Sequence, residues 1–482
     1  MTEMKQVSFK TAITPIAFFF ILLIYGLFIH PKAFGQSMLP VEILVLLALS
    51  FNAFLLLYLG YSWETIQKKM IEKVSDSITI ILILLSVGVL IGSWIVSGTI
   101  PMLIYYGISI IDPNWVYIFS FLICIIFSLL TGTSWGSAGT IGVVMIGISQ
   151  VYDANLAITA GAIVGGSFFG DKMSPLSDTT NIASLATNVP VYEHIHSMIY
   201  TTGPSAILAA IVYICLSPAL FGGTISASDQ PLMVQETLTD LQSVFNFNIL
   251  LLIPLVIILW GSFTKKPIIL TLLGSAWTAM ILALIFQSFS LNHILETLNR
   301  GFNMSMLGSS YVPQSDVVNI LNRGGLYSLI PGVIICVVVF AFIGTLDVIN
   351  AIHISIETMM KSIKTRAQTI AAALTATLFG NMAISNQYAT SFIIGATFNK
   401  KFDDMKINRK VLSRSIEDAG TMMENLAPWT PSGLFMIGAL GVSALEYAPY
   451  QFLSLINIVV AYFFALTGIA CFYGAKDTEK DK

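Results

Sequence analysis

Residues 165–181 read GGSFFGDKMSPLSDTTN, set between the apolar runs LAITAGAIV (156–164) and IASLATNV (182–189). A continuous lipid-facing helix has no use for Asp171, Lys172 and Asp178, nor for Pro175, which removes a backbone donor and interrupts the hydrogen-bond ladder. Non-helical backbone at membrane depth is tolerated only where protein or a water-filled cavity satisfies it. The stretch therefore reads as a broken helix. One half-helix ends near Asp171, and the next starts after Ser174-Pro175, an N-cap residue followed by proline.

The rest of the chain supplies the membrane context. Its 482 residues are 56% hydrophobic and 10% charged, with a mean hydropathy of +0.83. Soluble domains carry about 25% charged residues, so this chain lacks the polar surface to cover itself. Repeated long apolar runs imply an all-α polytopic membrane protein. The run 12–30 has no small-residue cleavage pattern and reads as a retained first span rather than a signal peptide. Cys124, Cys215, Cys336 and Cys471 lie inside apolar runs at no metal-ligand spacing, and read as small core residues. No nucleophile or metal constellation suggests an enzyme, and no cofactor is expected.

An acidic polar linker at 222–246 divides the chain into halves, 1–221 and 247–475, with a tail at 476–482. The halves resemble each other weakly. LIGSW (90–94) aligns with FIGTL (342–346), so that Gly92 falls on Gly344, and Gly132 and Gly380 follow in order. GDKMSP (170–175) then lies over MENLAP (423–428), pairing Asp171 with Glu424 and Pro175 with Pro428. We read two inverted-topology repeats, each of about five transmembrane helices plus a re-entrant hairpin (114–150 and 369–398) and a broken helix (156–187 and 410–441). With that arrangement, all of the 23 Lys and Arg except Lys32, Lys172, Arg300 and Arg323 fall on one side. The positive-inside rule then places both termini in the cytoplasm and the 222–246 linker outside it. The segment 289–328 reads as an ordered excursion over that outer face, and SWETIQKKMIEKVS (62–75) as an interfacial amphipathic helix.

Apolar runs break at 131–140, 170–179, 380–390 and 423–432, where polar residues gather. A break exposes carbonyls suited to a cation such as Na⁺ and N–H groups suited to a carboxylate. Asp171 and Glu424 are the expected Na⁺ ligands. A desolvated carboxylate that accepts Na⁺ when ionised and a proton when neutral gives exchange by competition. The competing role for Asp171 is a stapling salt bridge, with Lys172 or another base. Asp178 either binds an ion or only stabilises a helix N-terminus. Thr133, Ser134, Asn381, Ser385 and Asn386 offer neutral oxygens at the hairpin tips, or else satisfy their own turns. Glu417 and Asp418, near Arg414, read as structural groups at the cytoplasmic rim, and Asp347 as facing water. Trp135 and Trp429 read as packing residues, and His194 and His196 as a solvated loop pair, with a pH sensor as the sharper alternative.

GTSWGSAGTIG (132–142) and GGSFFGDKMSPLSDTTNIA (165–183) resemble the signature stretches of the NhaC-type Na⁺/H⁺ antiporter family, and NRGG (322–325) and ENLAPWTPSG (424–433) fit it. The resemblance covers nearly the whole chain. It implies a bacterial inner-membrane transporter whose motif residues here are Asp171, Ser174, Asp178, Thr179, Thr180 and Asn181, with Thr133 and Ser134. The expected activity is Na⁺/H⁺ antiport, with Li⁺ as a second candidate cation, the lipid bilayer and small cations as partners, no nucleic acid, and a homodimer left open. The alternative within the family is Na⁺- and H⁺-coupled exchange of an organic carboxylate (malate/lactate type) or amino-acid transport. An organic anion wants a cation to meet it, and Lys172 is the only intramembrane base available as an anion contact.

Overall fold

The computed structural model describes residues 7–217, 230–307 and 315–474. The described chain is helical, and its one β-bridge joins Ile407 to Tyr473. The first half contributes α1 (Phe9–Ile24), α2 (Val41–Tyr58), α3 (Trp63–Asp76), α4 (Ile78–Val96), α5 (Thr99–Ile110), α6 (Val116–Thr131), α7 (Val143–Val151), α8 (Leu156–Met173), α9 (Asp178–Thr187) and α10 (Val191–Cys215). The second begins with α11 (Gln230–Val244), α12 (Ile253–Phe263), α13 (Ile268–Phe286), α14 (Leu291–Arg300), α15 (Ser315–Leu321) and α16 (Ile330–Asp347). It ends with α17 (Ala351–Met360), α18 (Arg366–Ile384), α19 (Gln387–Asp404), α20 (Arg409–Ile416), α21 (Pro431–Leu440) and α22 (Phe452–Thr467).

Eight helices among the described residues are long and apolar enough to cross a membrane, or up to ten if each bent pair counts as one span. Large apolar side chains such as Phe54, Ile110 and Leu466 point outward, as a lipid solvent allows. The polytopic all-α class expected from composition is borne out. The first arms of both hairpins, Pro113–Thr131 and Arg366–Ile384, are themselves 19 residues long. Of the linker read at 222–246, residues 230–244 form α11, while 222–229 and the tail at 476–482 lie outside the described residues. Helix α5, 12 residues long, is an element the sequence pattern does not predict.

The two halves interlock. Amphipathic α3, capped by Ser62 accepting from the Thr65 N–H at 3.2 Å, lies on α16 of the other half, and α14 lies on α4. Both contacts need glycine. A Cβ on Gly344 would stand 2.6 Å from the Lys69 carbonyl oxygen, and one on Gly92 would stand 2.8 Å from that of Thr297. The NRGG turn follows α14 onto α4: Gly325 N–H donates to the Gly88 carbonyl at 2.7 Å, with Gly324 and Gly325 at φ +80° and +81°, where L side chains are disfavoured. Two large apolar cores result, each mixing both halves, beside a small one at Met102, Leu251 and Leu282. One joins α4–α8 to α13–α15 and α21; the other joins α1–α3 to α16–α20.

Several local expectations are corrected. His194 is buried within α10, its Nδ1 2.8 Å from the Ser413 hydroxyl, because the helix begins at Val191 and carries it into the bundle rather than into a loop. Cys215 is exposed, unlike the other three cysteines. Asp347 does face water, with its side chain 39% exposed, and it also pairs with Lys73 at 3.1 Å.

Candidate functional site

Asp171 occupies the last turn of α8, and two glycines bring a hairpin arm against it. Gly166 and Gly170, one helical turn apart, form the small-residue stripe on which transmembrane helices approach closely. A Cβ at Gly166 would lie 2.3 Å from the Phe121 carbonyl oxygen; one at Gly170 would lie 2.0 Å from Ser128 Oγ and 2.3 Å from the Leu129 nitrogen. Ser128 Oγ donates to the Gly166 carbonyl at 3.0 Å. Helix α6 stops at Gly132, φ +69°, and Thr133 caps the short turn that follows, its hydroxyl accepting from Gly136 N–H at 3.3 Å. Ser134, first in that turn, then donates to Asp171 Oδ2 at 2.5 Å.

From beyond the break, Ser177 donates to Asp171 Oδ1, also at 2.5 Å. Both oxygens of a carboxylate only 8% exposed are thus held by short, charge-assisted hydroxyl bonds. The remaining motif residues satisfy the interrupted backbone. Ser174 donates to the Leu129 carbonyl, Thr180 to the Asp171 and Lys172 carbonyls, and Asn181 to those of Pro175 and Ser177. Thr179 shares a hydroxyl contact with Ser177 at 3.0 Å. Asp178 is exposed at the start of α9.

The second break is built alike. Helix α18 ends at Ser385, φ +52°, and Asn386 opens α19 by accepting from Ala389 N–H at 3.0 Å. Asn381, one turn before the tip, places Nδ2 3.5 Å from Glu424 Oε2. Thr430 caps α21 and donates to the Glu424 carbonyl at 2.6 Å. Ser432 stands beside the Glu424 carboxylate and receives Trp135 Nε1 at 3.4 Å, while the Trp135 ring stacks on Phe435 at 4.6 Å. The first tip therefore touches the second break. Asp171 and Glu424 lie within electrostatic range of each other, and Tyr388 within range of both and of Asp178 and Glu417. Among the described residues no three His, Cys, Asp or Glu side chains gather as a metal cluster. A cation here would rest on one carboxylate and neutral oxygens, ligands that suit a hard ion.

Lys172 is not available as an anion contact. Its ammonium is 0% exposed, ion-paired with Asp418 and 3.4 Å from Asn457 Oδ1. Asp418 Oδ1 also accepts from Thr201 and Asn457, each at 3.0 Å, and Arg414 Nε lies 3.9 Å from Oδ2. Glu417 and Asp418 are consequently buried rather than at a rim, and Asp418 is tied to α10 through Thr201 and to α22 through Asn457. Sequence reasoning missed Ser177, Thr201, Gln387, Thr421, Ser432 and Asn457. Single neutral residues inside apolar runs carry no spacing signal, although Ser177 lay inside the quoted stretch.

Buried carboxylates held at interrupted helices in a membrane bundle define a secondary transporter. Residues 166–469 match the model of the Na⁺/H⁺ antiporter family, and the chain belongs to that family. It is 41% identical over 436 residues to an uncharacterized Na⁺/H⁺ antiporter of Haemophilus influenzae, covering 89% of this chain and 91% of that one. It is 33% identical over 432 residues to the Na⁺/H⁺ antiporter NhaC of Alkalihalophilus pseudofirmus, with 89% and 90% covered. To the malate-2H⁺/Na⁺-lactate antiporter of Bacillus subtilis it is 32% identical over 450 residues, with 92% of each covered. The NhaC-type resemblance read from the motifs is borne out.

Proposed function

We propose that the protein exchanges Na⁺ for H⁺ across a bacterial plasma membrane by alternating access, with Asp171 binding either cation in turn and Glu424 as its counterpart. The observation that carries this reading is the Asp171 carboxylate itself. It is buried at a helix break, gripped by Ser134 and Ser177, and no Lys or Arg pairs with it among the described residues. A carboxylate without a fixed countercharge in a bilayer calls for a mobile one. Ionised, it offers Na⁺ a charge flanked by hydroxyl oxygens; neutral, it carries the proton back. The reciprocal packing of α3 on α16 and α14 on α4 supports inverted repeats, and the charge distribution supports cytoplasmic termini.

Organic-carboxylate exchange is favoured by the likeness to the malate/lactate antiporter. It is disfavoured by Lys172, which is already committed to Asp418. The test uses protein reconstituted in sealed liposomes with an internal pH dye and an imposed proton gradient. Na⁺ added alone is expected to change the internal pH, and Asp171→Asn to abolish the response while the protein stays folded. Silence until malate, lactate or an amino acid is supplied would transfer the reading to the organic exchanger. Full activity in Asp171→Asn would sink the site assignment.

A further inference from the structure

The turn between α20 and Glu424 holds a group that the exchange reading leaves unused. Residues Glu417–Thr421 form a π-helical turn, an insertion frequent at functional sites. Glu417 at its head is 0% exposed, and neither carboxylate oxygen has a hydrogen-bond partner. The Thr421 hydroxyl stands beside it, itself buried and without a bond of standard geometry. Gln387, in the first turn of α19, lies against the same turn. Its Nε2 reaches the Ile416 carbonyl at 3.4 Å, and only the absence of a side chain at Gly420 leaves room for its Oε1, which an added Cβ would approach to 2.2 Å. That Oε1 is also buried and unpartnered. Carboxylate, hydroxyl and amide oxygens thus gather on one turn, where the Thr421 hydroxyl is the one donor beside the Glu417 carboxylate.

Charge balance points the same way. Asp171, Glu417, Asp418 and Glu424 are buried in this region beside two buried bases, Lys172 and Arg414, and both bases lie against Asp418. Lys172, Asp171 and Asp418 are the charges that face Glu417; the one favourable neighbour is already bonded elsewhere. An ionised carboxylate so placed is costly without a cation of its own.

We infer that Glu417, Thr421 and Gln387 form a second site for a monovalent cation, taken by Na⁺, in the second half of the molecule and separate from Asp171. The inference rests on the exchange reading only in taking Na⁺ as the cargo. Carboxylate, hydroxyl and amide oxygens are the hard ligands such an ion accepts, and a chain with two sites carries two sodium ions at saturation.

Equilibrium binding of radioactive sodium to the purified full-length protein tests this. Wild type is expected to bind two ions per chain, and Glu417→Gln and Asp171→Asn one each. Thr421→Val and Gln387→Leu, milder changes, should weaken one of the two sites about tenfold, the loss of one ligand interaction. Glu417→Gln binding as much sodium as wild type would overturn the inference while leaving Asp171 intact. Loss of one ion in Glu417→Gln but none in Asp171→Asn would sustain the second site and remove the first. If Glu417→Gln elutes aggregated, the two milder variants decide, and wild-type binding in both overturns the site.

Discussion

Gly170→Ala tests how the first site is assembled, because it adds a single methyl group while leaving every ligand side chain unchanged. That methyl would lie 2.0 Å from Ser128 Oγ and 2.3 Å from the Leu129 nitrogen. The serine side chain can rotate, but the backbone nitrogen can only move with α6. Ordinary contact begins near 3.4 Å, so the hairpin arm must withdraw by about 1 Å, and overpacking of this kind costs about 1–3 kcal/mol. The same withdrawal stretches the 2.5 Å bond from Ser134 to Asp171 beyond hydrogen-bond range. Losing a bond to a charged group is worth about 1.5–3 kcal/mol, a ten- to hundred-fold loss when it falls on ion binding. Half-saturating Na⁺ in the liposome assay is therefore expected to rise by at least about tenfold, with a lower thermal midpoint in detergent. Gly274→Ala is the control, since nothing lies within 4 Å of its added methyl. A Gly170→Ala protein with unchanged Na⁺ dependence and midpoint would refute the claim that the α6–α8 contact sets the site.

The buried ion pair invites a complementary experiment: Lys172→Met strands Asp418 with Arg414 at 3.9 Å, and the protein should lose about 3–5 kcal/mol, read as a large drop in thermal midpoint. Adding Asp418→Asn in the same chain should restore most of that loss; a Lys172→Met protein as stable as wild type would show that the pair is not structural. Ser177→Ala removes the other hydroxyl from Asp171 without touching the α6 contact, and should raise half-saturating Na⁺ about tenfold with little change in stability.

The breaks were legible because lipid punishes them. Pro175, Asp171 and the tip residues around Gly132 and Ser385 stand out against apolar runs, and the structure ends helices at those places. The burial of Glu417 and Asp418 was not legible. Glu417 and Asp418 read as rim groups beside Arg414, yet Asp418 bonds Thr201 of α10 and Asn457 of α22, and its ion-pair partner lies 246 residues away. Helix α5 was missed because it is only 12 residues long and ends at Ile110, next to the turn signal Asp112-Pro113.

The crossed packing of α3 on α16 and α14 on α4 has a consequence for biosynthesis. The glycine face of α4 is covered by residues from 297 onward, so roughly two hundred residues must be inserted before Gly88 and Gly92 meet their partners. Until then the glycine face of α4 and the apolar face of α3 lack the protein surfaces that cover them in the finished fold. Completion is thus a late, chain-wide event. Severing the chain near residue 222 should leave two fragments that are each stable only when produced together in the same membrane.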